Sequence, residues 1–537
     1  MNTLSYQPKY SKYLLIFALL CLSYLYQYNH IVFYAPQSIH QFRQADCLSI
    51  ALNYYQDDMN FFKPQLHNQM SQGGTSGFAV GEFPIIYYLV AVLWKIFGLH
   101  LWIFRLVEIL FVFLGLLALL RIFESILKDS IWALMITLLL FTSPIVAFYS
   151  NNYLTNMPAF SLVLMGWYYF YKFYETHKLK LLYMAMLLFA LAALLKVSSA
   201  ISYSMILCVF FLELFGWIKI KNHAKLFHKP SKHIPPLLIL PTVMFLWYGY
   251  ASWFNARYGG SYTFNSVWPI WNMSRTEIHI VCNGFMTFMV QQIFNIYTII
   301  VIGSMLIALI ILAAFKKIPK LHLLILGILI LGTVLYVLFW FNALGNHDYY
   351  LIDVLPLSLF VFLIFFVGFK TFSQKLFNNV LIKSTFFIFL VFNMVYCQNN
   401  MKMRYWIDIN KPERFASENE IGRWAFMHVN YVKKMQAFET LPYYFNALGV
   451  KPTDKVISIP DSSINISLVL MNHKGWTSFG FEGMTQNQKI EKQIKLGAKY
   501  LLISDSIIYK DASLEPFMHD YIGSYENIDI FNLQKKR

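Results

Sequence analysis

Residues 101–122 read LWIFRLVEILFVFLGLLALLRI, and this stretch decides the class of fold. A helix that crosses the bilayer core needs roughly 20 predominantly apolar residues, which is the length of this run. Similar apolar blocks occur near residues 13–33, 130–149, 158–173, 181–196, 198–217, 236–253, 295–315, 321–342, 350–369 and 379–396. The sequence therefore predicts a polytopic α-helical membrane protein with about eleven transmembrane helices.

The composition of the 537-residue chain supports this prediction. Hydrophobic residues make up 58% of the chain and charged residues only 13%, whereas a soluble domain has about 25% charged residues. A soluble globular enzyme, a disordered chain and a fibrous repeat are excluded. The net charge of +16 does not predict nucleic-acid binding, because most surplus Lys and Arg lie in short loops that set membrane topology.

The distribution of these basic loops predicts the orientation. We expect a cytoplasmic N-terminus and a multi-pass protein of the cytoplasmic (inner) membrane, in contact with membrane lipids. The outer segments are then 34–100, 254–294 and a short loop around 345–350. The block at 83–97 is short and contains Lys95, so we interpret it as an interfacial helix, with a re-entrant segment as the alternative.

The tail changes in composition, and an odd number of spans places it on the outer face. Residues 1–397 form the predicted transmembrane domain, and residues 398–537 a small extracytoplasmic domain. Its predicted elements are strands at 455–460, 499–504 and 528–533, helices at 463–472 and 485–496, and an amphipathic helix at 412–445 leading out of the membrane. This alternation predicts an α/β domain.

Carboxylates are scarce in the membrane domain, which holds only 12 of the 27 Asp and Glu residues. Asp46 and Glu82 both lie in the first outer loop. Arg43 precedes Asp46 by three residues, on the same face of a helix, and keeps the carboxylate ionised as a general base requires. By spacing alone, a surface ion pair for Arg43–Asp46 and a helix-capping role for Glu82 remain equally open.

Other polar residues at the outer ends of the spans have two interpretations each. His347 and Asp348 are suited to phosphate, a metal or a sugar hydroxyl, or else to interfacial anchoring. Asn152 contacts a ligand or belongs to a helix cap. Lys196 and Arg105 bind an anionic substrate or reach lipid headgroups. The sequence contains no nucleotide-binding signature, and a donor carried by a lipid needs none.

Three sequence segments are similar to a known family: HQFRQAD at 40–46, ALNYYQDDMNFFKP at 51–64 and GEFPIIYYLVAVLWKIFG at 81–98. They resemble the GT-C superfamily of membrane glycosyltransferases, and more closely its bacterial branch related to protein O-mannosyltransferases and the aminoarabinose transferase of lipid A. In that branch an Arg-Gln-(Ala/Ser)-Asp motif follows the first span and a Glu-Phe-Pro motif precedes an interfacial helix. The loop His347–Tyr350 with Pro356, and HKGW at 473–476, are also similar to the family.

The resemblance implies a GT-C-like fold and an inverting glycosyltransferase. Its donor would be a polyprenyl-phosphate-linked sugar, and its acceptor a hydroxyl of a protein, lipid or glycan at the outer membrane face. Asp46 would act as base or orient the acceptor, and Glu82 would contact the acceptor or a metal. The implied substrate-binding residues are Arg43, Gln44, Arg105, Asn152, Lys196, His347, Asp348 and Tyr349. Relatives carry an acid where this chain has Asn156, so no cofactor is certain and a divalent metal is left open.

Two other classes of protein remain as alternatives. A membrane transporter or flippase would place ionisable groups near the middle of the membrane and often contains repeats, whereas the charges here cluster outside. A polysaccharide polymerase or ligase for lipid-linked glycans would also use outer loops, but usually a late one. Flux without chemical change would favour the transporter, and consumption of a lipid-linked glycan the polymerase.

Overall fold

The computed structural model describes residues 8–534 except 219–224, 263–266, 316, 319, 409, 412 and 414. The α-helices of the membrane part are Pro8–Leu25, Tyr28–Ile31, Gln41–Gln56, Ile85–Phe97, Leu101–Leu127, Ser130–Phe141, Pro144–Ser150, Asn156–Thr176, Leu179–Leu195, Ala200–Leu214, Pro230–Leu237, Ile239–Tyr258, Arg275–Gly284, Val290–Ile293, Ile296–Ala314, Lys320–Phe339, Leu355–Phe372, Gln374–Phe377 and Val380–Trp406. Each of the eleven predicted blocks overlaps at least one of these helices.

Seven helical segments among the described residues are long and apolar enough to cross a membrane. A further pair, Ser130–Phe141 and Pro144–Ser150, is bent by 72° and would make an eighth span. Pro144 is the first residue of the second helix, where its missing N–H costs nothing and its ring fixes the new direction. The α-helical membrane fold is confirmed, and eleven spans stay a prediction.

The predicted interfacial block forms the 13-residue helix Ile85–Phe97, which is too short for an upright span. Its buried face packs along the helix Gln41–Gln56. Ring contacts join Tyr88 to Tyr54 at 5.4 Å and Trp94 to Tyr55 at 6.0 Å between centroids. The two helices of the first outer loop therefore form one aromatic-packed layer that holds Asp46.

The C-terminal domain contains a five-stranded sheet in the order β2-β1-β3-β5-β4. Its strands are β1 (Lys455–Ile459), β2 (Gly475–Thr477), β3 (Ala498–Ile503), β4 (Tyr521–Tyr525) and β5 (Ile528–Asn532). Strands β2, β1 and β3 are parallel, and β5 and β4 complete the sheet in antiparallel pairing. The three predicted strands correspond to β1, β3 and β5. The sequence pattern missed β2, which has three residues, and β4, which is mostly solvent-facing.

The helices around this sheet refine the predicted boundaries. They are Glu418–Lys434, Ala437–Leu448, Ile466–Leu470 and Gln486–Lys495. The amphipathic stretch at 412–445 is therefore two helices within its described part. The helix Val380–Trp406 continues past the predicted domain boundary at residue 397, and that boundary stays a prediction.

Candidate active site

The first-loop helix Gln41–Gln56 begins at a fixed turn. His40 precedes it with a left-handed backbone, φ 54°. The side chain of Gln44 is fully buried and donates to the carbonyl oxygens of Gln37 at 2.7 Å and Ile39 at 2.9 Å. Gln44, predicted to bind substrate, therefore holds the backbone turn from which the site is built.

Arg43 joins the two predicted catalytic acids. Its guanidinium forms an ion pair with Glu82 and lies 4.0 Å from Asp46 Oδ2. The Tyr87 hydroxyl donates to the second oxygen of Glu82 at 3.2 Å. Asp46 is 1% exposed, whereas the side chains of Arg43 and Glu82 are 12% and 17% exposed. The buried acid thus lies behind a partly open Arg–Glu pair.

The environment of Asp46 changes its protonation. Burial raises the pKa of its carboxyl to about 7, because removal from water penalises the charged form. The positive charge of Arg43 and a hydrogen bond from Asn465 act in the opposite direction, and the negative charge of Glu82 adds to the increase. A carboxyl that titrates near neutral pH is matched to general base catalysis.

A second cluster surrounds Asp348, which is fully buried. Its carboxylate lies 3.2 Å from Nε2 of His40 and 3.7 Å from the guanidinium of Arg404, and it accepts a hydrogen bond from the Tyr149 hydroxyl. Since His40 directly precedes the first-loop helix, Asp348 connects the first and third outer loops. The resemblance did not point to Tyr149 or Arg404.

His347 and Tyr349 extend this cluster toward Lys196. The ring of His347 lies 5.2 Å from that of His40, and burial lowers the pKa of His347 to about 4, so its imidazole is neutral at physiological pH. The ammonium of Lys196 lies 4.5 Å from the ring centre of Tyr350 and 5.4 Å from that of Tyr349. These are cation–π distances.

Lys196 also connects the second cluster to the acids of the first. Burial lowers the pKa of the Lys196 ammonium, and the nearby carboxylates of Glu82 and Asp353 act in the opposite direction. Asp353 itself accepts a hydrogen bond from Ser198 at 2.7 Å. Three separate parts of the chain therefore meet in one region, which contains Arg43, Asp46, Glu82, Lys196, His347 and Tyr349.

The described side-chain contacts of Arg105 and Asn152, also predicted to bind substrate, are with neighbouring parts of the protein. Arg105 is fully buried, donates to the carbonyl oxygens of Tyr34 and Asn151, and lies 4.3 Å from the ring centre of Tyr153. The Asn152 side chain accepts a hydrogen bond from the backbone of Tyr153 at 2.8 Å. The Arg105 contacts join the segments that contain Tyr34 and Asn151, whereas the Asn152 contact is local.

Asn465 of the C-terminal domain is a site residue that the sequence did not predict. Its amide nitrogen donates to Asp46 Oδ1 at 2.8 Å across 419 positions of the chain. It follows β1 on the way to the helix Ile466–Leu470. The only signal in the sequence is this position at the carboxyl end of a predicted strand, where α/β folds often place functional residues.

An apolar cavity of about 370 Å³ lies between five membrane helices. Its walls include Leu119, Leu164, Met205, Leu329, Pro356 and Leu363. Leu329 and Pro356 also line a smaller pocket that contains Ser198, Thr333 and Asp353. The apolar cavity therefore extends toward the polar groups next to Lys196.

The described side chains form no cluster of metal ligands. Hard cations take several oxygen ligands at one point. Within the described ranges, no group of three or more His, Cys, Asp or Glu side chains could hold a metal ion. Glu82, the acid implied as a ligand, is instead paired with Arg43 and Tyr87.

Comparisons with known proteins agree with this architecture. Residues 82–248 match the family model of dolichyl-phosphate-mannose-protein mannosyltransferases. No curated protein sequence matches the chain significantly. The matched region begins at Glu82 and includes the interfacial helix and Lys196.

Solved structures share the fold along the chain. ArnT from Cupriavidus metallidurans bound to undecaprenyl phosphate is 11% identical, with 98% of this chain and 99% of that chain covered and a TM-score of 0.54. The arabinofuranosyltransferase AftD from Mycobacteria is 12% identical, with 100% and 41% covered and a TM-score of 0.54. The Archaeoglobus fulgidus oligosaccharyltransferase in complex with Zn and sulfate is 11% identical, with 91% and 67% covered and a TM-score of 0.53.

These identities show a common fold. The family-model match over residues 82–248 agrees with the resemblance of the first-loop motifs to membrane glycosyltransferases.

Proposed function

We propose that the protein transfers a sugar from a polyprenyl-phosphate-linked donor to an acceptor hydroxyl, with inversion at the anomeric carbon. The observation that carries this proposal is Asp46, a buried carboxyl of raised pKa next to the partly open Arg43–Glu82 pair. The match of residues 82–248 to the mannosyltransferase family model and the fold shared with ArnT support the reaction class. We further propose that the site faces the outer side of the cytoplasmic membrane, with the C-terminal domain on that side.

In the proposed reaction, Asp46 is the general base. Its ionised carboxylate accepts the proton of the acceptor hydroxyl as that oxygen attacks the anomeric carbon. The new glycosidic C–O bond forms while the bond from the anomeric carbon to the phosphate oxygen breaks. The polyprenyl phosphate leaves with both electrons of that bond, and the proton remains on Asp46. Glu82 keeps Arg43 in place beside the base.

We assign the donor phosphate to the cationic side of the site. Lys196 supplies a positive charge, and the neutral imidazole of His347 supplies a hydrogen-bond donor for a phosphate oxygen. The apolar cavity suits the hydrocarbon part of such a donor, because its walls carry mostly aliphatic and aromatic side chains. The structure of ArnT with undecaprenyl phosphate supports this donor class. Mass spectrometry of surface glycans and glycoproteins from a deletion strain and its parent identifies the sugar and the acceptor.

Substitution of Asp46→Asn tests the proposal directly. We expect sugar transfer by the purified protein to fall by a factor on the order of 10²–10⁴, the contribution typical of a general base, while membrane insertion is unchanged. Asp57→Asn is the matched control, because Asp57 is also a first-loop acid but forms a surface ion pair with Lys474. Retained turnover in Asp46→Asn would contradict the role of Asp46. Movement of a lipid-linked glycan across the membrane without chemical change would favour a flippase.

A further inference from the structure

The first outer loop and the C-terminal domain share backbone hydrogen bonds. The N–H of Gln69 donates to Gly475 O at 2.8 Å, and the N–H of Gly475 donates to His67 O at 3.2 Å. Asn68 and Gly475 thus form a parallel bridge at the edge of β2. A side chain at Gly475 would come within 1.8 Å of Val456 O in the neighbouring strand. This pairing fixes the register between the loop and the sheet.

The turn that follows β1 is held by Asp461. Its carboxylate accepts hydrogen bonds from the backbone of Ser463 at 2.8 Å and from the backbone and hydroxyl of Ser467 at 2.9 and 2.6 Å. Asn465 lies inside this turn and is fully buried. Its position is therefore set by the C-terminal domain, independently of Asp46.

The orientation of the Asn465 amide is set by the first loop. The backbone N–H of Asn68 donates to Asn465 Oδ1 at 3.0 Å. Because that oxygen is the acceptor end of the amide, its nitrogen faces Asp46 and donates to Oδ1 at 2.8 Å. The contact occupies one oxygen of Asp46 and leaves Oδ2, on the side of Arg43, as the proton acceptor.

We propose that Asn465 is a positioning residue that orients the Asp46 carboxylate, so that the C-terminal domain completes the active site. This inference rests on the proposed function, in which Asp46 is the base. Asn465 acts through Asp46 and needs no contact with substrate. Its role requires a docked domain, because the amide orientation depends on Asn68, at the seam between 67–69 and β2.

Several charged and titratable groups face Asp46 from the surrounding elements. Arg43 lies on the same helix and lowers its pKa, while Glu82 from the first loop and Asp461 from the C-terminal domain raise it. Tyr262 of the second outer loop and Cys47 on the first-loop helix are neutral neighbours. Because the hydrogen bond from Asn465 lowers the pKa, its removal moves the protonation midpoint of Asp46 upward.

The experiment compares full-length wild type with Asn465→Ala, Asn465→Asp and Asn472→Ala. Asn472 is the matched control, because it contacts His67 at 3.1 Å across the same seam without contacting Asp46. The first measurement is the pH profile of kcat/KM for transfer from an undecaprenyl-phosphate-linked sugar pool extracted from membranes. The second is the substrate-free infrared titration of the Asp46 carboxyl, identified by subtraction of Asp46→Asn. Melting temperatures in detergent establish that each variant is folded.

We expect kcat/KM of Asn465→Ala to fall about 10- to 100-fold at pH 7, the effect of losing a hydrogen bond to a charged group. Activity should recover toward wild type at higher pH, since the midpoint moves upward, and Asn465→Asp should move it further by like-charge repulsion. Asn472→Ala should leave the midpoint unchanged. If Asn465→Ala does not fold, the isosteric Asn465→Asp provides the test.

Two outcomes separate this inference from the proposed function. An unchanged infrared midpoint in folded Asn465 variants would overturn the positioning role, even if wild type transfers sugar. A displaced midpoint without any sugar transfer by wild type would support the positioning of Asp46 and reject the proposed function. Equal loss of melting temperature in the Asn465→Ala and Asn472→Ala variants, with no change in midpoint, would make Asn465 a structural anchor only and overturn the inference.

Discussion

Asp46 and Asp348 are both buried aspartates, but their partners differ. Asp348 is contacted by His40, Tyr149 and Arg404. Asp46 receives a hydrogen bond from Asn465, and its nearest cation is Arg43, whose charge is shared with Glu82. The two aspartates are equally buried, but the neighbouring donors and cations compensate the negative charge of Asp348 strongly and that of Asp46 only in part.

This difference separates an anchor from a reactive group. A buried carboxylate surrounded by donors and a guanidinium is stable as an anion, and it holds together the loops that supply those partners. A buried carboxylate with incomplete compensation gains and loses a proton near neutral pH, which is useful in catalysis and costly for stability. We therefore expect substitutions at the two positions to affect different properties of the protein.

The largest effect on stability is expected for Asp348→Asn. Removal of one partner from a buried ion pair leaves the guanidinium of Arg404 under-compensated, at a cost of about 3–5 kcal/mol. Asp46→Asn should leave the free energy of unfolding nearly unchanged, because the amide has the same shape and no charge to bury. Melting temperature in detergent and the yield of monodisperse protein measure both variants. Equal destabilisation of the two would invalidate the distinction.

A smaller effect, on the pH dependence, is expected for Glu82→Gln. Wild-type transfer should decrease as the pH falls through about 7, because protonated Asp46 cannot accept the acceptor proton. The charge of Glu82 raises the pKa of Asp46, so its removal should move the decrease to lower pH. The maximal rate should also fall, since Asp46 becomes a weaker base. If the pH profile of transfer by Glu82→Gln matched that of the surface control Asp57→Asn, Glu82 would not act on Asp46.

The smallest effect is expected for Lys474→Ala at the same domain seam. Its ammonium pairs with Asp57 at 2.6 Å, but the two side chains are 31% and 34% exposed. Exposed pairs contribute about 0–1 kcal/mol, so melting temperature and turnover should stay close to wild type. If Lys474→Ala lost as much turnover as Asn465→Ala, the strength of docking between the first loop and the C-terminal domain would limit activity, and not the contact of Asn465 with Asp46.

Much of the membrane fold follows from sequence because hydrophobic length is a local property. Helices formed at every predicted block, and the strands at 455–459, 498–503 and 528–532 lie within one residue of the predicted ranges. Boundaries were less accurate where a helix outlasts its apolar run, as in the extension to Trp406. The proximity of Arg43 to Asp46 follows from their spacing of three residues, whereas the ion pair of Arg43 with Glu82 was not predicted.

The sequence by itself determined the membrane class, the small α/β tail and the outer-loop acids, since these depend on composition, periodicity and short motifs. Only the tertiary structure decided which polar residues share a site. Arg105 and Lys196 are both basic residues near the end of a predicted span. The N–H groups of Arg105, however, donate to the carbonyl oxygens of Tyr34 and Asn151. Asn465 has no distinctive local pattern, yet it contacts Asp46. The physical reason is that hydrogen-bond partnership and desolvation depend on long-range packing, which spacing along the chain does not encode.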